Sequence, residues 1–150
     1  DLKQQLGKLY TPSDRQPLLV TAPRLQILSI EGAGDPNNSV DWQSATETLY
    51  GLSYTIKFAL KKEGFDYGVM PLEAFWWVEG GAEYHPDAPR DNWRWRCFIV
   101  QPDFVEEAHV AAARAALAAK KPDARLHDAS LWHIEEGLIA QLMHIGPYAD

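Results

Sequence analysis

Residues 71–80 read PLEAFWWVEG, and their alternation organises the chain. At a period of two, Pro71, Glu73, Phe75 and Trp77 share one side of an extended segment. Leu72, Ala74, Trp76 and Val78 share the other. Pro71 places this strand at a sheet edge or a bulge, because proline cannot donate to a ladder. Residues 93–102, WRWRCFIVQP, alternate as cleanly: Trp93, Trp95 and Cys97 on one face, Arg94, Arg96 and Phe98 on the other. The polar, turn-rich segment between them predicts an antiparallel hairpin with a long loop.

Working outward, residues 24–32, RLQILSIEG, predict a mostly buried strand. The glycines of EGAGDP mark a tight turn, and Ser39 or Asp41 stands ready to cap a helix. Residues 41–62 form that helix. Trp42, Ala45, Leu49, Leu52, Ile56 and Leu60 make its apolar stripe, with Tyr50, Tyr54 and Phe58 as an aromatic stripe beside it. Gly64 ends it. A short helix is expected over residues 1–10. An alanine-rich helix follows Asp103 and runs to about residue 121, its stripe reading Val105, Ala108, Ala112, Ala115 and Leu117. After the connector PDARLHDAS come a strand, a turn and a last strand from Leu138 to Ile145, with Glu135 and Glu136 expected as solvated residues at a strand start. The order is β-α-β-β-α-β, which argues an α+β fold. LSIEGAGD (28–35) and LMHIGPYAD (142–150) share an apolar strand, a glycine turn and an aspartate, which hints at an internal repeat.

The 150 residues carry a net charge of −7 and are 46% hydrophobic. That is the composition of one globular domain. The acidic balance excludes the basic face that nucleic acid requires, and points to neutral or cationic partners. No apolar run is long enough for a membrane span. The single cysteine, Cys97, reads as a small buried residue, and with no disulfide framework the expected setting is cytoplasmic. The five histidines lack metal-ligand spacing, so neither a metal nor a cofactor is expected. Phosphate-loop, nucleophile-elbow and zincin motifs are absent.

Glu73 is the residue with most chemistry in prospect. It is either a solvated carboxylate on an open sheet face or a carboxylate in a cavity lined by Phe75 and Trp77. Aromatic walls bind flat apolar molecules and attract cations through their quadrupoles. A carboxylate among them supplies countercharge or, once desolvated, a general acid or base. Trp93 and Trp95 on the neighbouring strand are expected either to complete those walls or to lie in the core.

Taken together, SIEGAGDPN, ALKKEGFDYGVMPLEAFWW, WRWRCFIVQPDFV and EEGLIAQLMHIGPYAD resemble the GyrI-like small-molecule-binding family in its stand-alone branch, over nearly the whole chain. The resemblance implies a duplicated β-α-β-β unit with helices on one side of the sheet and a ligand cleft on the other. The first unit would span about 24–121, and residues 131–150 would begin the second. On that pattern the second unit is expected to be truncated, unless a second chain or a homodimer completes the fold. It also implies binding of flat hydrophobic or cationic molecules for sequestration or detoxification. Some stand-alone members resemble hydrolases that open the cyclopropyl rings of DNA-alkylating compounds. On that pattern Glu73 is the acid–base residue, and Tyr54, Trp76, Trp77, Trp93, Trp95 and Tyr148 join Phe75 as ligand contacts. The alternative is a protein-interaction module such as a gyrase-inhibitor-like partner protein, docking through its tryptophan face.

Overall fold

A computed structural model describes residues 2–80, 87–122 and 125–146. Its elements are α1 (Leu2–Gln5), β1 (Leu18–Ala22), β2 (Leu25–Ala33), α2 (Val40–Lys62), β3 (Leu72–Val78), β4 (Trp93–Gln101), α3 (Glu107–Ala118), β5 (Ser130–Ile134) and β6 (Gly137–Gln141). A single 3-10 turn, Arg90–Asn92, leads into β4.

Four strands pair antiparallel in the order β3-β4-β2-β5. β3 lies at an edge, as Pro71 implies. Helix α2 starts where Ser39 accepts a hydrogen bond from the Trp42 amide at 3.2 Å, a cap that contributes about 1 kcal/mol. Ala45, Leu49, Leu52, Ile56 and Leu60 are buried from it, the stripe expected from spacing. The helix ends at Gly64 with φ +96°. There the Phe65 amide donates to the Leu60 carbonyl and the Gly64 amide to Lys61, which satisfies the last carbonyls. α2 packs on β2 and β4, and α3 packs on α2 to widen the helix layer. Two polar side chains tie the layers inside the core: Gln101 donates to Ser53 Oγ at 3.0 Å, and Gln26 donates to the Pro102 and Val105 carbonyls at 2.9 Å. Such bonds are needed because a buried amide without a partner is costly. The result is an α+β fold.

The β2–β5 pair does not stop at the sheet. Leu25 opposes Ile134, and one corner further on Ala22 opposes Gly137 in unbroken register through to Leu18 and Gln141. Pro23 has no amide to continue the ladder, and Gly137 turns with φ +69°, a conformation that favours glycine. The ladder therefore breaks at Pro23–Arg24 and Glu135–Glu136 and resumes as the two-stranded ribbon β1–β6.

β1 is an addition to the expected elements: LLVTA carries only five residues and follows a proline-rich stretch, so its strand character is weak locally. Four expectations need correction. The first helix spans only Leu2–Gln5, because the chain turns at Gly7. α3 begins at Glu107, not after Asp103; Glu106 and His109 form a reciprocal capping box, with the Glu106 amide donating to His109 Nδ1 at 2.9 Å. Its buried positions are Val110 and Ala113, while Ala108, Ala112 and Ala115 are exposed. A run of alanines has too little contrast to reveal which face is covered. The last strand ends at Gln141, and Leu142, Met143 and Ile145 lie beyond it, exposed.

Candidate functional site

The β3–β4 register decides which aromatic residues meet Glu73. Glu73 faces Phe98, Phe75 faces Arg96, and Trp77 faces Arg94. Directly opposed residues share a sheet face. β2 extends the same face with Ser29 opposite Phe98 and Glu31 opposite Arg96. Phe75 stacks on Phe98 with centroids 5.0 Å apart. Arg94 pairs with Glu79 at 2.6 Å and Arg96 pairs with Glu31. The Arg96 guanidinium also sits 5.2 Å above the Trp132 ring. Both arginine charges on this face are thus answered by carboxylates, leaving Glu73 as a further negative charge.

Glu73 is half-buried, and the Tyr10 hydroxyl donates to its Oε1 at 2.5 Å. Burial raises the Glu73 pKa; the Tyr10 hydrogen bond works in the other direction, and the Glu136 charge at the β5–β6 corner adds to the rise. Desolvation disfavours the carboxylate, and a bond donated to it favours it. Here desolvation wins. Tyr10 itself is held protonated, first by burial and then by its bond to Glu73 and that group's charge. The pair is therefore a committed donor next to a carboxyl group poised to take up a proton. Tyr10 is delivered by the N-terminal segment, whose Leu6 joins the core and whose Leu9 carbonyl accepts from Gln141 Nε2 at 3.0 Å. The Met143 amide donates to the Ser13 carbonyl at 2.8 Å, a second tie between the segment and the end of the ribbon.

The structure brings Glu73, Phe75 and Trp77 to one face. It does not bring Trp76, Trp93 or Trp95 there, which corrects the expectation that they wall the carboxylate. Trp76 opposes Trp95 across the ladder and Val78 opposes Trp93, on the helix side. The Trp42 ring of α2 lies 5.0 Å from Trp76 and, edge-on, 4.9 Å from Trp95; Trp76 meets Trp93 at 5.9 Å. Trp95 is fully buried. These rings hold helix to sheet. Cys97 is buried beneath them, and burial pushes its thiol up to about 12. Tyr54 stands exposed on α2 between Tyr50 and Phe58, with centroids 6.4 and 6.2 Å away. Tyr148 lies outside the described residues. Among the described residues no cluster of His, Cys, Asp or Glu could hold a metal ion, and no helix is long and apolar enough to cross a membrane.

Tyr10 is the residue of this candidate site that spacing arguments miss. It lies 63 positions from Glu73, and nothing in the local pattern of KLYTPS signals the contact. A half-buried carboxylate with a phenol donor can bind a cation, or transfer a proton to a substrate held against Phe75 and Trp77.

No protein-family model matches the chain, and no curated protein matches it. Solved structures do. An uncharacterized conserved protein from Listeria innocua is 36% identical with a TM-score of 0.88, over 99% of this chain and 73% of that one. Two structures described as hydrolases from the same organism are 35% and 36% identical, with TM-scores of 0.84 and 0.87, over 100% of this chain and 73% of theirs. At that identity, over that share of both chains, the protein belongs to the family of these Listeria innocua proteins.

Proposed function

We propose that the sheet face bearing Glu73, Phe75 and Trp77 binds flat hydrophobic or cationic small molecules, as a GyrI-like small-molecule-binding protein would, for sequestration or detoxification. The observation that carries this reading is the Tyr10–Glu73 pair: a half-buried carboxyl group, hydrogen-bonded by a phenol, on the same sheet face as the rings of Phe75 and Trp77. Trp77 and Phe75 supply the flat wall. Glu73 supplies countercharge to a cation, or a proton to a neutral substrate.

The hydrolase names of two relatives favour a chemical role for that proton. The reaction proposed is ring-opening hydrolysis of cyclopropyl-bearing genotoxins. Protonated Glu73 donates to the electron-withdrawing oxygen conjugated with the strained ring. Water adds its oxygen to the ring methylene, the adjacent carbon–carbon bond breaks, and its electron pair passes into the conjugated system. The Glu73 carboxylate recovers a proton from the added water, so the group is regenerated. Tyr10 occupies Oε1 and so presents the other carboxyl oxygen to substrate. A raised carboxyl pKa suits this cycle, because a general acid works best when its pKa lies near the working pH.

The test is incubation of the protein with a cyclopropyl-bearing alkylator, followed by mass spectrometry. The expected product carries the mass of one added water, and Glu73→Gln forms it at least about a hundredfold more slowly, as loss of a general acid does. Equal rates for wild type and Glu73→Gln would remove Glu73 from the reaction and leave only sequestration.

A further inference from the structure

We propose that Trp132 is the far wall of the Glu73 face and selects elongated planar cations over short ones; this rests on that face binding ligand as proposed above. Glu73, Phe98, Ser29 and Ser130 oppose one another in a single row across β3, β4, β2 and β5. Trp132 stands two residues beyond Ser130 on β5, so it projects from the same side of the sheet as Glu73. It is 50% exposed. A single exposed tryptophan is ordinary; this one differs in being held. Its indole N–H donates to Ser130 Oγ at 2.8 Å, and the Arg96 guanidinium lies 5.2 Å from its ring centroid. A ring fixed before binding loses little freedom when a ligand stacks on it.

Arg96 belongs to β4, and β2 lies between it and β5, so ring and guanidinium meet across β2. On its other side Arg96 opposes Phe75 of β3. Phe75, Arg96 and Trp132 thus form a strip of flat groups running across the strands, since a guanidinium presents a planar face as a ring does. Glu31 answers the Arg96 charge, so the strip sets no bare positive charge against a cation. The strip also sets a length. Adjacent strands lie about 4.8 Å apart, which separates β3 from β5 by roughly 14 Å. Two fused rings beside Glu73 cover only the β3 end, whereas four reach toward Trp132. Glu73 supplies countercharge at one end of such a ligand, and Trp132 supplies stacking area at the other.

Two planar cations test this by equilibrium dialysis against the full chain at pH 7: N-methylquinolinium, with two fused rings, and coralyne, with four, kept dilute enough to stay monomeric. Wild type should bind coralyne the more tightly. Trp132→Ala should weaken coralyne about tenfold and leave N-methylquinolinium within about twofold, while Trp132→Phe, which keeps a ring, should restore most of the coralyne affinity. Circular dichroism checks that both variants fold. A coralyne affinity that falls less than about threefold in Trp132→Ala, or an equal fall for both cations, overturns the role of Trp132. Glu73→Gln separates the two levels of the claim. If it weakens both cations while coralyne ignores Trp132→Ala, only the role of Trp132 falls. If it weakens neither, or if wild type binds neither, the reading of the Glu73 face falls and the role of Trp132 with it.

Discussion

Strands β3 and β4 present two faces built from alternate residues of the same segments, and the faces differ in kind. On the helix side, Trp42 meets Trp76 and Trp95, and Trp76 meets Trp93, in a packed cluster of rings on the face that also carries the buried Cys97 and Ile99. On the other side stand Glu73, Phe75, Trp77, Arg94 and Arg96, with hydrogen bonds and ion pairs to residues distant in sequence. Adjacent tryptophans 76 and 77 therefore belong to different environments. The lesson is that an aromatic-rich segment is not one unit: pleating assigns Trp76 to the packed core layer and Trp77 to the face of the candidate site.

The largest consequence of this difference is in stability. Trp95→Ala empties the centre of the helix-side cluster and should cost about 3–5 kcal/mol, as large-to-small core changes do; Trp77→Ala, half-exposed, should cost about 1 kcal/mol or less. Urea denaturation of the two variants measures both, and similar losses would erase the contrast between the faces. Gly32→Ala comes next. Gly32 opposes Trp95, and a β-carbon there would run into the Trp95 ring and lie 2.5 Å from Asp41 Oδ2. Overpacking of that kind costs about 1–3 kcal/mol, read as a lower denaturation midpoint.

On the Glu73 face the effects are smaller and depend on pH. Tyr10→Phe removes one hydrogen bond, worth about 1 kcal/mol. Because that bond favours the carboxylate, its loss should move the Glu73 pKa further up, which carboxyl-carbon NMR titration would record; a fall would contradict the assignment. The smallest effect is that of Glu73→Gln on stability. The folded pKa of Glu73 lies above its ordinary value of 4.5, so the folded state holds the proton more tightly than the unfolded state. Its contribution is full below that ordinary value and declines as pH rises through the folded pKa. Glu73→Gln removes this decline, and its glutamine oxygen still accepts from Tyr10. Melting from pH 4 to 7 should therefore show a variant as stable as wild type at pH 7, or more stable by less than about 1 kcal/mol, with a flatter profile.

Much of the fold is legible in the sequence. The alternation of 72–78 and 93–101, the buried stripe of α2, the Ser39 cap and the Gly64 stop each rest on one dominant local signal. What is not legible needs two segments at once. Alternation sorts Glu73 from Trp76 and Trp93 from Arg94, but only the register between strands shows that Trp93 and Trp95 lie with Trp76 and not with Glu73. Tyr10 reaches Glu73 through a chain path whose course depends on Leu6 in the core and Gln141 in the ribbon. β1 becomes a strand because β6 pairs with it, not because LLVTA insists on it. Alternation alone puts Glu73 and Trp77 on one face, in agreement with the β3–β4 register, while the helix-side tryptophans resemble site residues only in composition.

The central claim is that ligand binding belongs to the Glu73 face, and one fluorescence titration tests it most directly. Proflavine is added at pH 7 to wild type, Glu73→Gln and Trp77→Ala. The account predicts saturable quenching in wild type and at least about tenfold weaker binding in each variant, since each removes either the countercharge or the stacking wall. Undiminished affinity in both variants would contradict it, and would place any binding surface elsewhere on the molecule.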